Sequence, residues 1–208
     1  MRSGSLDEIL QRLHQAQNDL EQELDRLLDE KRRKFQYQLR RGRVVFEKSI
    51  KRVQRQYKTG SFAYLLKAPL AYILSAPIIY SMIVPFVLLD LCVTIYQQVC
   101  FRIYGIPLVR RSDYIVIDRH HLAYLNIIEK FNCVYCGYGN GLIEYVREIT
   151  ARTEQFWCPI KHARRTLDAH HRTHRFLDYG DAEAYRNKRH ELRRDWDDGL
   201  GDAGTPFR

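Results

Sequence analysis

The chain has 208 residues, a formal net charge of +9 and five cysteines. An odd cysteine count argues against a complete disulfide framework, and the positive balance leaves two classes of polyanion as partners, nucleic acid or an anionic lipid surface. The amino terminus is polar and charged, so no cleavable signal peptide is expected.

Residues 1–58 form the first region, a coiled coil and basic amphipathic helix, in which Leu6 to Tyr57 read as helix with almost no interruption. Leu6, Leu13, Leu20 and Leu27 fall seven apart, with Leu10, Gln17, Leu24 and Lys31 four residues after each. This 3.5-residue repeat keeps an apolar seam on one face and predicts a coiled coil, with Gln17 fixing register or strand number. The rival reading is an amphipathic helix packed on its own chain. The seam continues more loosely through Phe35, Leu39, Phe46, Ile50, Val53 and Tyr57, with Gly42 its weak point. Between Lys31 and Lys67 stand thirteen basic residues and a single acid, Glu47. Basic-zipper DNA binders place the basic region before the zipper, whereas here it follows. What it precedes is an apolar block, and basic clusters beside a membrane segment are drawn to anionic lipid. Anionic membrane is therefore favoured over nucleic acid.

Residues 62–104 form the expected membrane-inserted segment. Ala68 to Leu89 carries no charge over twenty-two residues, enough for one crossing, and apolar sequence resumes after Asp90. Pro69, Pro77 and Pro85 fall eight apart and predict a kinked helix, or a re-entrant hairpin that enters and leaves one leaflet. Cys92 and Cys100 lie in this block and read as buried spectators.

Residues 105–180 read as a small α+β domain. Ile106–Val109 and Tyr114–Ile117 bracket a polar stretch and predict a β-hairpin, followed by a short helix over Leu122–Lys130. Cys133-Val-Tyr-Cys136-Gly137 has the spacing of a metal knuckle, and Cys158-Pro159-Ile160-Lys161-His162 supplies a second pair. Cys133, Cys136, Cys158 and His162 make a Cys3His set that suits tetrahedral zinc better than iron. A helix over about 141–155, marked by Leu142, Tyr145, Val146 and Ile149, separates the two pairs, and Gly137-Tyr138-Gly139-Asn140-Gly141 reads as a flexible exit from the knuckle. His170, His171 and His174 read as part of a basic, partly exposed helix rather than a second metal site. Residues 181–208 predict one helix over Ala182–Trp196 and a disordered glycine-rich tail.

The segments Cys133-Val-Tyr-Cys136-Gly-Tyr-Gly-Asn-Gly141 and Phe156-Trp-Cys158-Pro-Ile-Lys-His162-Ala resemble a family of bacterial membrane-associated proteins with a hydrophobic segment before the cysteines. The resemblance covers about residues 60–180. It implies a bacterial membrane location and brings no known activity.

The whole predicts a mainly α protein: a long N-terminal coiled coil and basic helix, a kinked hydrophobic helix or hairpin, and a C-terminal metal-knuckle domain. The function expected is a scaffold, adaptor or assembly factor at the bacterial inner membrane, its N-terminal region cytoplasmic. It would be joined to itself or to a helical partner through the coiled coil. The alternatives are a thiol redox or metal-delivery protein using Cys133 and Cys136, and a basic zipper-like nucleic-acid binder.

Overall fold

The computed structural model describes residues 3–35, 37–40, 43–46, 48–164 and 166–196, and the protein is mainly helical. Two compact units are present: residues 1–58 with His121–Tyr124, and Thr59–His120 with 125–208.

In the first unit, α1 runs Ser3–Lys34, β1 Tyr37–Arg40, β2 Arg43–Phe46 and α2 Lys48–Gln56. The leucine repeat drives α1, and Lys31, Arg32, Arg33 and Lys34 fill its last turn, where the helix dipole favours cations. The helix expected to continue to Tyr57 stops there. An antiparallel pair replaces it, with Tyr37 opposite Phe46 and Arg40 opposite Arg43. The β-branched pair Val44-Val45 and the alternation of Tyr37-Gln38-Leu39-Arg40 favour a pleated strand once a cross-strand partner is in reach. Phe46 is buried. The Gln54 carboxamide oxygen accepts a bond from the Ala123 N–H at 3.2 Å.

In the second unit, α3 (Ser61–Lys67) leads into α4 (Leu70–Ser81) and α5 (Ile83–Tyr96). A π-turn over Gln97–Phe101 and a last turn, α6 (Arg102–Tyr104), complete one apolar helix spanning Leu70–Tyr104. The break at Met82 has a covalent cause. Pro85 has no N–H for the Ser81 carbonyl and its ring crowds that carbonyl. The Ile79 carbonyl at this break accepts a bond from the Tyr135 hydroxyl at 2.6 Å.

After Gly105, which takes φ +70°, the chain returns in largely extended form, interrupted by the short helix α7 (Arg111–Tyr114). The β-hairpin expected over 106–117 does not form; Ile106 and Val109 are instead buried against Phe101, Leu142, Tyr145 and Ile149. Gln97 is the reason that this segment needs no strand partner. Its carboxamide accepts from the Val109 N–H at 3.0 Å and donates to the Val109 carbonyl at 3.3 Å, satisfying both backbone groups as a neighbouring strand would.

The helix α8 then spans Ile127–Trp157 without a break. Asn126 caps it through a box with Glu129: the Asn126 side chain accepts from the Glu129 N–H at 3.0 Å, and the Glu129 carboxylate accepts from the Asn126 N–H at 2.8 Å. The helix expected over Leu122–Lys130 is thus a single 3₁₀ turn, Arg119–His121, followed by this later start. Contacts of Ile79 with Tyr135, Asp90 with Tyr138, Tyr96 with Thr153 and Tyr104 with Phe156 rise together in number, so the apolar helix and α8 run parallel.

Three glycines in five residues sit inside α8, where helix propensity disfavours them. Each faces something close. A Cβ on Gly141 would lie 2.6 Å from the Tyr114 carbonyl oxygen and 2.8 Å from the Ile115 Cα, and one on Gly137 would lie 3.3 Å from the Val116 oxygen. A Cβ on Gly139 would lie 2.9 Å from the Phe86 ring. The glycine run is therefore a helix surface pressed against the returning chain, not a flexible exit.

Beyond α8, among the described residues, the only strand-like pairing is a parallel bridge of Ile160 with Leu177, so the C-terminal α+β domain is not formed. A 3₁₀ segment over His171–Arg175 and α9 (Ala182–Leu192) complete the unit; residues 199–208, expected as a disordered tail, lie outside the described residues.

Gly141→Ala will destabilise the protein by about 1–3 kcal/mol, because its new methyl meets backbone that must move. Propensity alone predicts the opposite sign, a gain approaching about 1 kcal/mol. Gly139→Ala will cost less, since the Phe86 ring can swing aside. Thermal unfolding in detergent separates the cases: a neutral or stabilising Gly141→Ala would refute the close approach.

Candidate functional site

Three groups of side chains were candidates for chemistry, and the structure separates them. Cys133 and Cys136 lie one turn apart on α8, Cys136 exposed and Cys133 partly so. Cys158 is the C-cap of the same helix. Twenty-two residues at 1.5 Å each place it about 30 Å from Cys136. The Cys133, Cys136, Cys158 and His162 set therefore does not converge. The 141–155 helix expected to fold between the pairs is continuous with the segment expected to turn, and a rigid rod holds the pairs apart. Among the described residues no group of three or more His, Cys, Asp or Glu that could hold a metal ion is brought together.

Cys158 is exposed, and its neighbours have a packing role. The Pro159 side chain is fully buried and its carbonyl accepts from the Leu177 N–H at 2.9 Å, while the Lys161 N–H donates to the Leu177 carbonyl at 2.7 Å. Burial, then the nearby Glu154 carboxylate, push the Cys158 thiol pKa up, which disfavours the thiolate that a metal ligand or nucleophile requires.

The second group lies along the seam of the apolar helix and α8. Asp90 takes both oxygens to Arg111, with contacts of 2.6, 3.1 and 3.2 Å, and accepts from the Tyr138 hydroxyl at 3.0 Å. Tyr80 meets Asn132, Gln97 meets Tyr145, and the Tyr96 and Thr153 hydroxyls lie 3.0 Å apart. A bidentate guanidinium–carboxylate contact supplies geometric specificity beyond charge, and here it ties the apolar helix to the returning chain. Asp90 stood out as the lone charge of an apolar stretch; its partner, twenty-one residues on, had no local signal.

The third group went unnoticed in the sequence. Glu148, only 6% exposed, accepts from Arg172 (2% exposed) at 2.8 Å and from Arg152 at 2.7 Å. Arg172 also donates to Gln155 at 3.0 Å, and Gln155 in turn donates to the Leu192 and Asp195 carbonyls at 3.0 and 2.6 Å. His170 sits 2.8 Å from Glu154. The three histidines are thus carried by a 3₁₀ turn, not arrayed on a helix: His170 and His171 face the α8 carboxylates Glu154 and Glu148, and His174 bonds the His171 carbonyl. Burial alone would raise the Glu148 pKa, but the Arg172 and Arg152 guanidiniums outweigh it and hold the carboxyl below its ordinary value. Tyr114, which burial and the Glu148 charge push up to about 12, stays neutral beside this cluster.

The opposite face of the apolar helix has no protein cover. Val84, Leu88, Leu91, Ile95 and Val99 recur at spacings of three and four and are all exposed, while Phe86, Leu89, Val93 and Phe101 turn toward α8. This helix is long and apolar enough to cross a membrane.

No family model, no curated protein and no solved structure matches the chain.

Two outcomes check this geometry. Arg172→Ala will cost up to about 3 kcal/mol, the low end for a broken buried ion pair, because Arg152 stays on the buried Glu148 carboxylate. Because Glu148 titrates lower in the folded protein than when unfolded, its stabilisation is complete above the ordinary carboxylate range and is lost as pH falls through the depressed folded value. Glu148→Gln will flatten that acid limb of stability against pH, and an unchanged limb would remove Glu148 from it. Mild oxidation will join Cys133 only to Cys136; a Cys136–Cys158 disulfide found by peptide mapping would show that α8 opens.

Proposed function

We propose that the protein is a membrane-anchored scaffold, holding an oligomerising helix and a helical C-terminal unit at an anionic membrane surface. The observation that carries this reading is the uncovered apolar face of Leu70–Tyr104. Water would meet a continuous stripe of branched side chains there, at about 25 cal/mol for each Å² left exposed. Charge supports the same surface. On α2, Lys48, Lys51, Arg52 and Arg55 lie on one side of the helix, and Ile50 and Val53 on the other. The chain from Lys48 to Lys67 contains no acidic residue. Basic amphipathic helices of this kind rest on anionic headgroups, each cation adding about 1 kcal/mol. An inner bacterial membrane with the N-terminal region in the cytoplasm fits the positive-inside distribution of these residues.

Partner binding is proposed for α1. Leu20, Leu24 and Leu27 are 72, 56 and 43% exposed and share one face of that helix, so this part of the seam has no cover among the described residues. A second copy of α1 is the partner that a heptad repeat suits best. The β-hairpin after α1 ends the continuous basic helix that a zipper-like nucleic-acid reader would need. A thiol redox role keeps one supporting observation: Cys133 and Cys136 are close on one helix face and Cys136 is exposed.

The protein will sediment with membranes, resist a high-salt wash and require detergent for release. A monodisperse species in buffer alone would overturn the reading. In detergent, light scattering will show an oligomer that Leu20→Ala/Leu24→Ala/Leu27→Ala reduces to a single chain, and a monomeric wild type would remove α1 as the assembly element.

A further inference from the structure

We infer that the apolar helix Leu70–Tyr104 does not cross the bilayer but lies along it, its outer stripe immersed in the acyl chains of one leaflet and both of its ends at the same surface. This rests on the membrane reading above and decides the geometry within it.

The helix is about 52 Å long, well beyond the roughly 30 Å of a hydrocarbon core, so a crossing would use about twenty of its residues. The rest of the unit limits which twenty. Alongside it, α8 and the returning chain run from the level of Ile79 to the level of Tyr104, about 37 Å. These companions carry charge at fixed depths. A crossing by residues 70–89 is centred near Tyr80, whose hydroxyl meets Asn132. Within three residues of Asn132 stand Glu129 and Lys130, and Asp118 and the exposed Arg119 follow closely on Val116, which packs against Gly137. A crossing by residues 82–101 is centred near Leu91, beside Asp90 and Arg111, with Arg110 and Asp113 exposed on the same short turn. Either window therefore puts several charged side chains at mid-depth, at about 2.5–3.5 kcal/mol each on insertion scales.

Laid flat, the same unit has no such conflict. Val84, Leu88, Leu91, Ile95 and Val99 form one stripe, and the opposite face of the helix holds Asp90 and Gln97 against α8. The uncharged stripe points away from the body, and the polar side chains of the helix, Asp90 and Gln97, point into it beside Phe86, Leu89 and Val93. The charge pattern identifies the occupant as lipid: thirteen basic residues against one acid between Lys31 and Lys67 lead directly into the stripe, matching an anionic headgroup layer.

The native lysines test this without substitutions. Lys67 precedes the helix, and Lys161 and Lys188 come after α8, whose last turn lies beside the C-terminal end of the apolar helix. Sealed membrane vesicles of each orientation, prepared from cells expressing the full chain, are treated with a membrane-impermeant amine-reactive acylating reagent, and the modified lysines are read by peptide mass spectrometry. The expected result is modification of Lys67, Lys161 and Lys188 together in one orientation and of none of them in the other. Modification of Lys67 in one orientation and of Lys188 only in the opposite one would establish a crossing and overturn the inference while leaving membrane anchorage intact. Recovery of the protein in the supernatant, with all three lysines reactive, would mean that a second copy rather than lipid covers the stripe, and would overturn both.

Discussion

The C-terminal unit depends on how closely the returning chain can lie against α8. Gly137 and Gly141 remove the side chains that would stand between that helix and the backbone of Tyr114–Val116, and Gly139 leaves room for the Phe86 ring. Two parallel helices require a connection that travels the full length back, and that connection needs somewhere to go. Lying on a glycine surface, it is thin enough to share the groove with Phe101, Ile106 and Val109. The helix propensity lost at three glycines is offset by that contact. Small residues at helix spacing serve the same end between membrane helices, where close backbone approach replaces the hydrophobic driving force.

Once the returning chain is seated, its polar backbone must be satisfied, and the apolar helix supplies the means. The π-turn at Gln97–Phe101 adds a residue to the helical turn and coincides with the two side chains most deeply buried there, Gln97 and Phe101. Gln97 satisfies Val109, and Asp90 engages Arg111. The inner face of this helix is therefore more polar than its outer face. A soluble core helix shows the reverse, which supports the proposal that the apolar stripe is a surface for lipid.

Farther along α8, the buried charges around Glu148 act as a clamp. Arg172 bonds Glu148 and Gln155 at once, and Gln155 reaches the last carbonyls beyond α9, so two segments remote in sequence are tied to one helix face. Buried ion pairs of this kind specify arrangement more than they add stability, because desolvation opposes the charge attraction. His170 and His171 lie beside this clamp, at Glu154 and Glu148.

What local spacing can encode was legible in the sequence. The heptads of α1, the uncharged length of Ala68–Leu89 and the predominance of helix all follow from short-range periodicity, whereas the Asn126–Glu129 capping box was missed and the helix start placed at Leu122. Residues whose conformation depends on a distant partner were not legible. Gly137-Tyr138-Gly139-Asn140-Gly141 has the composition of a loop and becomes helix only because Tyr114–Val116 and Phe86 pack on it. Tyr37–Arg40 and Arg43–Phe46 continue a helical pattern and become paired strands because each has the other to bond. Cys133, Cys136, Cys158 and His162 have the spacing of a ligand set, but spacing constrains contact only when the intervening chain can bend. The tertiary packing that keeps residues 127–157 a single straight helix decided that the two pairs stand a helix length apart.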